Sequence, residues 1–226
     1  MRKSMNIFDI LGPVMVGPSS SHTAGAVRIG LITRRLLADK PVKAQIQLSG
    51  SFAATAVGHG TDRALVAGLL NMQPDDMRVP DSFLIAKEAG LEFTFESINL
   101  KGAHPNTAVM KVTGSDGRVL EVQASSLGGG RIMVNKLDGI EVNFTGESPT
   151  LIVHNVDQPG HVAEVTSMLS HKSVNIATMQ LYRDRRGGYA VMVIEMDHDV
   201  PQEAIQWLSR LEGIVKVTYL NTADTE

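Results

Sequence analysis

Cysteine is absent from all 226 residues of this chain. This absence excludes disulfides, thiol nucleophiles and thiolate ligands to zinc or to an iron–sulfur cluster within the chain. Any metal centre of that kind must therefore be held by another polypeptide.

Aromatic residues, net charge and long hydrophobic runs are also scarce. Phe, Trp and Tyr make up 4% of the chain, and the formal net charge is -3. Without a basic run or a cluster of stacking aromatics, nucleic acid is not an expected partner. No apolar stretch reaches the roughly 18 residues of a membrane helix, and the N-terminus lacks the pattern of a secretion signal. We therefore expect a cytoplasmic chain without a membrane anchor.

Hydrophobic residues make up 43% of the chain, which is enough for two modest domains. Strands and helices mix along residues 1–146, which predicts a mixed α/β domain. Residues 147–149 are polar and contain a proline, as is typical of a linker. Residues 150–226 follow the order βαββαβ, which predicts a ferredoxin-like α+β domain.

The first functional motif is the polar stretch Gly-Pro-Ser-Ser-Ser-His-Thr-Ala-Gly at residues 17–25, which leads into a helix predicted over 23–38. Its hydroxyls, the backbone N–H groups of a helix start and the helix dipole favour an anion such as a carboxylate. His22 adds a group that transfers protons near neutral pH. The simpler alternative is a helix cap, although one hydroxyl is enough for capping.

Two further histidines lie in predicted loops at strand ends. His59 lies between glycines in the segment 50–62, which is predicted as a loop between a strand at 42–49 and a helix beginning near residue 63. His104 lies in the loop 102–107, together with Asn106. Loops at the carboxyl edge of a sheet often bind ligands, but each segment is also consistent with an ordinary exposed turn.

The first turn of the C-terminal domain has a more specific pattern. The strand before it ends in Asp157-Gln-Pro-Gly160, directly before a helix, and this segment resembles the ACT regulatory domain. Such domains often pair side by side and bind small amino acids where they join. The resemblance implies a ligand site at Asn155, Asp157, Gly160 and His161, with backbone N–H groups for a carboxylate and the polar side chains for an ammonium. The alternative is a domain that only dimerises.

The whole chain resembles the beta subunits of the iron–sulfur-dependent L-serine dehydratase family, the L-serine ammonia-lyases. The residues that carry this resemblance are 7–10, 17–25, 58–62, 104–106 and the ACT-like tail. The resemblance implies a lyase of serine catabolism that converts L-serine to pyruvate and ammonia. It also implies a cysteine-bearing alpha subunit that holds a [4Fe-4S] cluster, and no metal ligand in this chain.

The same resemblance implies roles for the loop residues. We expect His22, His59 and His104 to meet at the subunit interface and to supply a base, a proton donor and a carboxylate contact. The assignment of these three roles among the three histidines stays open. The expected substrate-binding residues are Ser19, Ser20, Ser21, Thr23, Thr61 and Asn106.

Two other classes of function also fit the pattern. The chain is consistent with a stand-alone amino-acid sensor. The N-terminal domain of this family is similar to the substrate-binding regulatory domain of some phosphoglycerate dehydrogenases, so the resemblance implies a mixed α/β domain of the substrate-binding type at residues 1–146. It is also consistent with a scaffold that only dimerises through its ACT-like sheets. Three imidazoles on separate loops favour catalysis over sensing, because a sensor needs only donors for a carboxylate.

Overall fold

The structure is a computed structural model that describes residues 14–221. The motif at residues 7–10 lies outside the described residues. The chain divides into two compact units, with the division after Val134. Within residues 14–221, none of the helices combines the length and the hydrophobicity needed to span a bilayer.

The N-terminal part of the chain alternates helices with strands, as the sequence predicts. Its elements are a π-helical turn Ser20–Ala24, α1 Gly25–Leu37, β1 Pro41–Gly50, α2 Ser51–Thr55, α3 Thr61–Leu69, a 3-10 turn Val79–Asp81, α4 Ser82–Glu88, β2 Glu92–Ile98, β3 Asn106–Gly114, β4 Val119–Gly128, β5 Arg131–Leu137 and β6 Ile140–Phe144. The strands form one sheet in the order β2-β1-β3-β4-β5-β6. Strand β1 pairs parallel with β2 and antiparallel with β3, so the sheet is mixed.

Helices α1 and α3 pack unusually closely because two glycines face each other. A Cβ at Gly68 would lie 2.1 Å from the carbonyl oxygen of Val27, and one at Gly30 would lie 2.3 Å from that of Leu65. Only glycine permits this approach, since the atoms in the way belong to the backbone. The contact holds together two helices whose first turns follow His22 and His59.

One element of this unit differs from the sequence prediction. Residues 50–62 were predicted as a loop, but Ser51–Thr55 form the short helix α2. Phe52 is fully buried and anchors this helix. Five residues make little more than one helical turn, so hydrophobic periodicity does not reveal such a helix.

Within the second unit, residues 150–220 have the ferredoxin-like βαββαβ fold that the sequence predicts. Its elements are β7 Thr150–Val156, α5 His161–His171, β8 Ile176–Arg183, β9 Tyr189–Met196, α6 Gln202–Leu208 and β10 Ile214–Leu220. The strands form an antiparallel sheet in the order β10-β7-β9-β8. Leu151, Val165, Leu169 and Ile194 belong to its fully buried core. The mixed α/β and ferredoxin-like classes are therefore both confirmed.

Candidate active site

The serine motif forms a π-helical turn rather than a simple capped α-helix. Ser19 is extended, and its hydroxyl accepts a hydrogen bond from the backbone N–H of His22 at 3.1 Å. The carbonyl of Ser19 accepts from the backbone N–H groups of Thr23 and Ala24 at 2.8 and 3.4 Å. Isolated π-helical turns are rare and occur frequently at functional sites. Ser19 therefore caps this turn, as the simpler alternative expects, and the π-helical geometry keeps the motif a candidate for a functional site.

The imidazole of His22 is held at both ring nitrogens. Nδ1 lies 3.3 Å from Oγ of Ser19, and Nε2 lies 3.0 Å from Oγ of Ser51. The ring also packs against Phe52, with centroids 5.5 Å apart. Burial, and to a lesser extent the charge of His59, lowers the pKa of His22 below its ordinary value. His22 is thus neutral at neutral pH.

His59 lies edge-on to His22, with ring centroids 5.1 Å apart. Its backbone N–H donates to the carbonyl of Thr55, and its own carbonyl accepts from the hydroxyl of Thr23 at 3.3 Å. Nδ1 of His59 is buried and has no hydrogen-bond partner. This nitrogen is therefore available to a ligand or a proton, unlike the engaged nitrogens of His22. These contacts do not fit the alternative of a free, exposed turn at His59.

His104 lies on a neighbouring loop, but its ring is exposed. Its Nδ1 accepts a hydrogen bond from the backbone N–H of Asn106 at 3.1 Å, and its carbonyl accepts from the hydroxyl of Thr107 at 2.6 Å. The backbone of this loop meets α2, because the carbonyl of Pro105 accepts from the N–H of Ser51 at 2.7 Å. The structure thus joins the three loops but brings only the rings of His22 and His59 into contact.

The expected substrate-binding hydroxyls differ in how they are engaged. Those of Ser19 and Thr23 already bind His22 and the His59 carbonyl, respectively. Thr61 is fully buried, and its hydroxyl oxygen has no hydrogen-bond partner. Ser20, Ser21 and Asn106 are half-buried.

A glycine turn after β4 borders the serine motif. A Cβ at Gly128 would lie 3.5 Å from the hydroxyl oxygen of Ser21. The guanidinium of Arg28, on α1, donates to the carbonyl of Gly130 at 3.1 Å and fixes the turn. Residues 128–130 therefore belong to the surroundings of the motif.

Two residues of this region carried no role in the sequence prediction. Ser51 contacts His22, as described above. Ser126, on β4, is fully buried with an unpartnered hydroxyl, and a Cβ at Gly25 would lie 2.1 Å from that oxygen. Neither serine belongs to a recognisable motif, because strand pairing and helix packing bring them to the site.

The chain's donor set does not fit an iron–sulfur cluster. The sequence has no cysteine, and within residues 14–221 no group of three or more His, Asp or Glu side chains is arranged to hold a metal ion. The side chains of this chain that line the site can transfer protons through imidazole and bind polar groups through hydroxyls and amides.

In the second unit, Asp157 is already engaged. Its carboxylate accepts from the backbone N–H of Gly187 at 2.9 Å and forms an ion pair with Arg183 at 3.1 Å. The N–H of Gly187 and, to a lesser extent, Arg183 lower the pKa of Asp157 below its ordinary value. A ligand ammonium would have to compete with these contacts.

Two other residues of the same region have unpartnered polar atoms. Oδ1 of Asn155 and Nε2 of His161 are buried without hydrogen bonds. Gly160, at φ 107°, precedes α5, and the ring of His161 lies against Gly213. Unpaired buried polar atoms are costly, so a polar ligand would find donors and acceptors here rather than at Asp157.

The fold and the site define a chain of two parts: an α/β unit with paired imidazoles and hydroxyls, followed by a ferredoxin-like unit. The family described as "Serine dehydratase beta chain" matches residues 6–90, and the ACT domain family matches residues 149–213. The chain is 39% identical to the "Probable L-serine dehydratase, beta chain" of Bacillus subtilis, over 96% of this chain and 98% of that protein. It belongs to the serine dehydratase beta chain family and is a lyase subunit.

Two further relatives support and extend this assignment. The "L-serine dehydratase, beta chain" of Peptoniphilus asaccharolyticus is 35% identical over 94% of this chain and 96% of that protein. The D-3-phosphoglycerate dehydrogenase of Bacillus subtilis is 24% identical over 87% of this chain but only 37% of that protein. All three relatives are named as enzymes or enzyme subunits, so the sensor alternative gains no support from them.

Proposed function

We propose that this chain is the beta subunit of a heteromeric L-serine dehydratase that converts L-serine to pyruvate and ammonia. The observation that carries the proposal is the contact between the imidazoles of His22 and His59, whose ring centroids lie 5.1 Å apart. It occurs in a chain that matches a serine dehydratase beta chain over nearly its whole length. Removing the weakly acidic Cα proton of serine requires a base, and neutral imidazole is suited to that task near pH 7.

The proton-transfer roles fall to His22, His59 and His104. The unpartnered, buried Nδ1 of His59 supports a role in direct proton transfer. His22 is neutral but held at both nitrogens, which supports a role in orienting and polarising the site. His104 is exposed, as expected for a residue that meets substrate only when a second subunit covers the loop. Comparing turnover of the complex with His22→Ala, His59→Ala and His104→Ala identifies the base among the three.

The substrate carboxylate and amine need polar partners near these rings. We assign them to Ser20, Ser21, Thr61 and Asn106, with Ser19 and Thr23 holding the histidine-bearing loops. Thr61 supports this best, because its hydroxyl oxygen is buried and unpartnered at the start of α3. Leaving such a group unpaired costs about 1–3 kcal/mol, which a bound ligand would recover.

The iron–sulfur cluster belongs, in this proposal, to a cysteine-bearing alpha subunit. The lack of cysteine in this chain supports that division of labour. The proposal assigns this chain only proton transfer and substrate binding. A cytoplasmic location remains a prediction from the sequence.

The ACT-like unit is proposed to bind a small amino acid and to mediate self-association. We keep the boundaries of an N-terminal domain at 1–146, a linker at 147–149 and an ACT-like domain at 150–226; the ACT match, which begins at residue 149, supports the start of the last. Of the four expected ligand residues, Asn155 and His161 are supported by their buried, unpartnered atoms. Asp157 and Gly160 would shape the turn between β7 and α5 instead.

The direct test is anaerobic co-expression with a candidate alpha subunit, followed by an assay for pyruvate from L-serine. The proposal expects turnover by the pair and none by either chain alone. Binding of L-serine by this chain without turnover in any pairing would instead indicate a sensor. D-serine serves as the matched control substrate, because an oriented base removes the proton from one face only.

A further inference from the structure

Ser51 is joined to the imidazole of His22 although 29 residues separate them in the chain. Oγ of Ser51 lies 3.0 Å from Nε2 of His22, and Oγ of Ser19 lies 3.3 Å from Nδ1. A ring held at both nitrogens cannot rotate freely about its side-chain bonds. The two serines therefore fix the plane in which the His22 ring faces His59.

The hydrogen bonds around His22 fit the tautomer that carries its proton on Nε2. Oγ of Ser19 already accepts the backbone N–H of His22 at 3.1 Å, so its own proton is available to donate to Nδ1. With Nδ1 accepting, the single proton of the neutral ring resides on Nε2 and is donated to Oγ of Ser51. Ser51 can then donate its own hydroxyl proton to a further acceptor.

The backbone of Ser51 contacts a different loop. Its N–H donates to the carbonyl of Pro105, next to His104, at 2.7 Å. Gly50 makes this possible: it has φ 58°, and a Cβ there would lie 2.6 Å from the same carbonyl oxygen. Ser51 is thus the point at which the loop of His22 and the loop of His104 are tied together.

We propose that Ser51 is a positioning residue that sets the orientation and the tautomer of His22 through its hydroxyl and fixes the neighbouring His104 loop through its backbone. The effect of Ser51 on catalysis rests on the proposed dehydratase function, whereas its effect on the His22 ring does not. In this proposal, Ser51 acts through His22 and not through contact with the reacting atoms. Ser51 lies outside the serine motif at residues 17–25, so the motif gives no indication of this role.

The first test is spectroscopic and uses this chain alone. Long-range nitrogen–proton correlation spectra report the tautomer of each imidazole, and the signals of His22 are those that disappear in His22→Gln. In Ser51→Ala we expect the chemical shifts of the two His22 ring nitrogens to move toward each other, as they do in a ring that exchanges between tautomers. Thr55→Ala is the matched control, because it removes a hydroxyl from the same short helix, where it bonds only the carbonyl of Ser51. Identical His22 signals in wild type and Ser51→Ala would overturn the inference.

The second test measures turnover in the complex with the alpha subunit. Loss of one orienting hydrogen bond is expected to lower kcat about tenfold in Ser51→Ala, with KM changed much less. Ser51→Thr, which retains the hydroxyl, should restore most of kcat, and Thr55→Ala should match wild type. An unchanged kcat in Ser51→Ala would refute the role of Ser51. If the wild-type complex formed no pyruvate, the proposed function would fail, and the spectra would still decide the role of Ser51.

Discussion

The imidazoles of His22 and His59 meet edge to face, with their planes at 83°. The first lies in the π-helical turn before α1 and the second just before α3, so the close packing of these helices brings them together. A positive charge on His59 disfavours proton uptake by His22, because two like charges would lie side by side. The lowered pKa of His22 reflects this repulsion in addition to burial.

Replacing His59 with Asn should lower kcat of the reconstituted complex by about 10²- to 10⁴-fold, as expected for loss of a general acid or base. Pyruvate formation under anaerobic conditions measures the effect. His198→Asn is the matched control, because His198 is exposed and belongs to the second unit, whereas the paired rings belong to the first. Equal turnover in the two variants would contradict a proton-transfer role for His59.

Gly68→Ala should destabilise the first unit by about 1–3 kcal/mol or more, because the new methyl group would press on the backbone of α1. The free energy of unfolding in urea measures this loss. Gly58→Ala is the control, since its Cβ would meet no atom closer than 3.9 Å. If Gly68→Ala were no less stable than Gly58→Ala, the close helix contact described here would be wrong.

His154 should make the stability of the second unit sensitive to pH. Burial, reinforced by Lys216 and opposed by Asp138, lowers the pKa of His154 to about 4 from an ordinary value of 6.5. The unfolded chain binds a proton at this residue as the pH falls below 6.5, whereas the folded chain does not until about pH 4. This difference removes up to about 3 kcal/mol of stability between those two pH values.

The measurement is the free energy of unfolding at pH 7.5 and pH 5 for wild type and His154→Gln. The variant should lose less stability on acidification than wild type. His198→Gln should keep the wild-type dependence, because that side chain is exposed. If His154→Gln lost as much unfolding free energy as wild type between pH 7.5 and pH 5, another group would be responsible for the pH dependence.

Gly213→Ala tests the packing of His161 in the second unit. A Cβ at position 213 would lie 2.5 Å from Nε2 of His161, and the alanine would also have to adopt a φ of 79°. Gly187→Ala is a close control, because its φ is 73° and its Cβ would meet nothing within 4 Å. We expect Gly213→Ala to melt at a lower temperature than the control and to lose any thermal shift caused by L-serine. Equal melting temperatures would contradict the described contact.

The regular elements of the second unit follow closely from the sequence. The βαββαβ order predicted for residues 150–226 matches the observed order, in which the strands β7, β9 and β10 are Thr150–Val156, Tyr189–Met196 and Ile214–Leu220. These strands are rich in Val, Ile and Leu and lie between glycine, proline or charged turns, which are strong local signals. Helix α2 was missed because it depends on the burial of Phe52, and burial is a tertiary property.

The site residues also fall into those that the sequence could identify and those that only the tertiary structure identified. The serine motif and His59 could be selected from the sequence, because hydroxyls and imidazoles beside glycines at helix starts have a recognisable chemistry. Ser51 and Ser126 could not, because a single serine at the start of a short helix or near the end of a strand has no distinguishing pattern. Their importance arises from atoms that belong to distant segments.

The sequence by itself determined the two-part architecture, the helix start rich in hydroxyls and the family, since these depend on local pattern and on motifs contiguous in the chain. Only the tertiary structure decided which side chains meet: the rings of His22 and His59 touch, His104 stays exposed, and Asp157 is already paired with Arg183. The physical reason is that these contacts join remote segments: close packing at Gly30 and Gly68 brings the two rings together, and pairing of β7 and β8 with β9 brings Arg183 to Asp157. Distances of a few ångströms between remote segments have no signature along the chain.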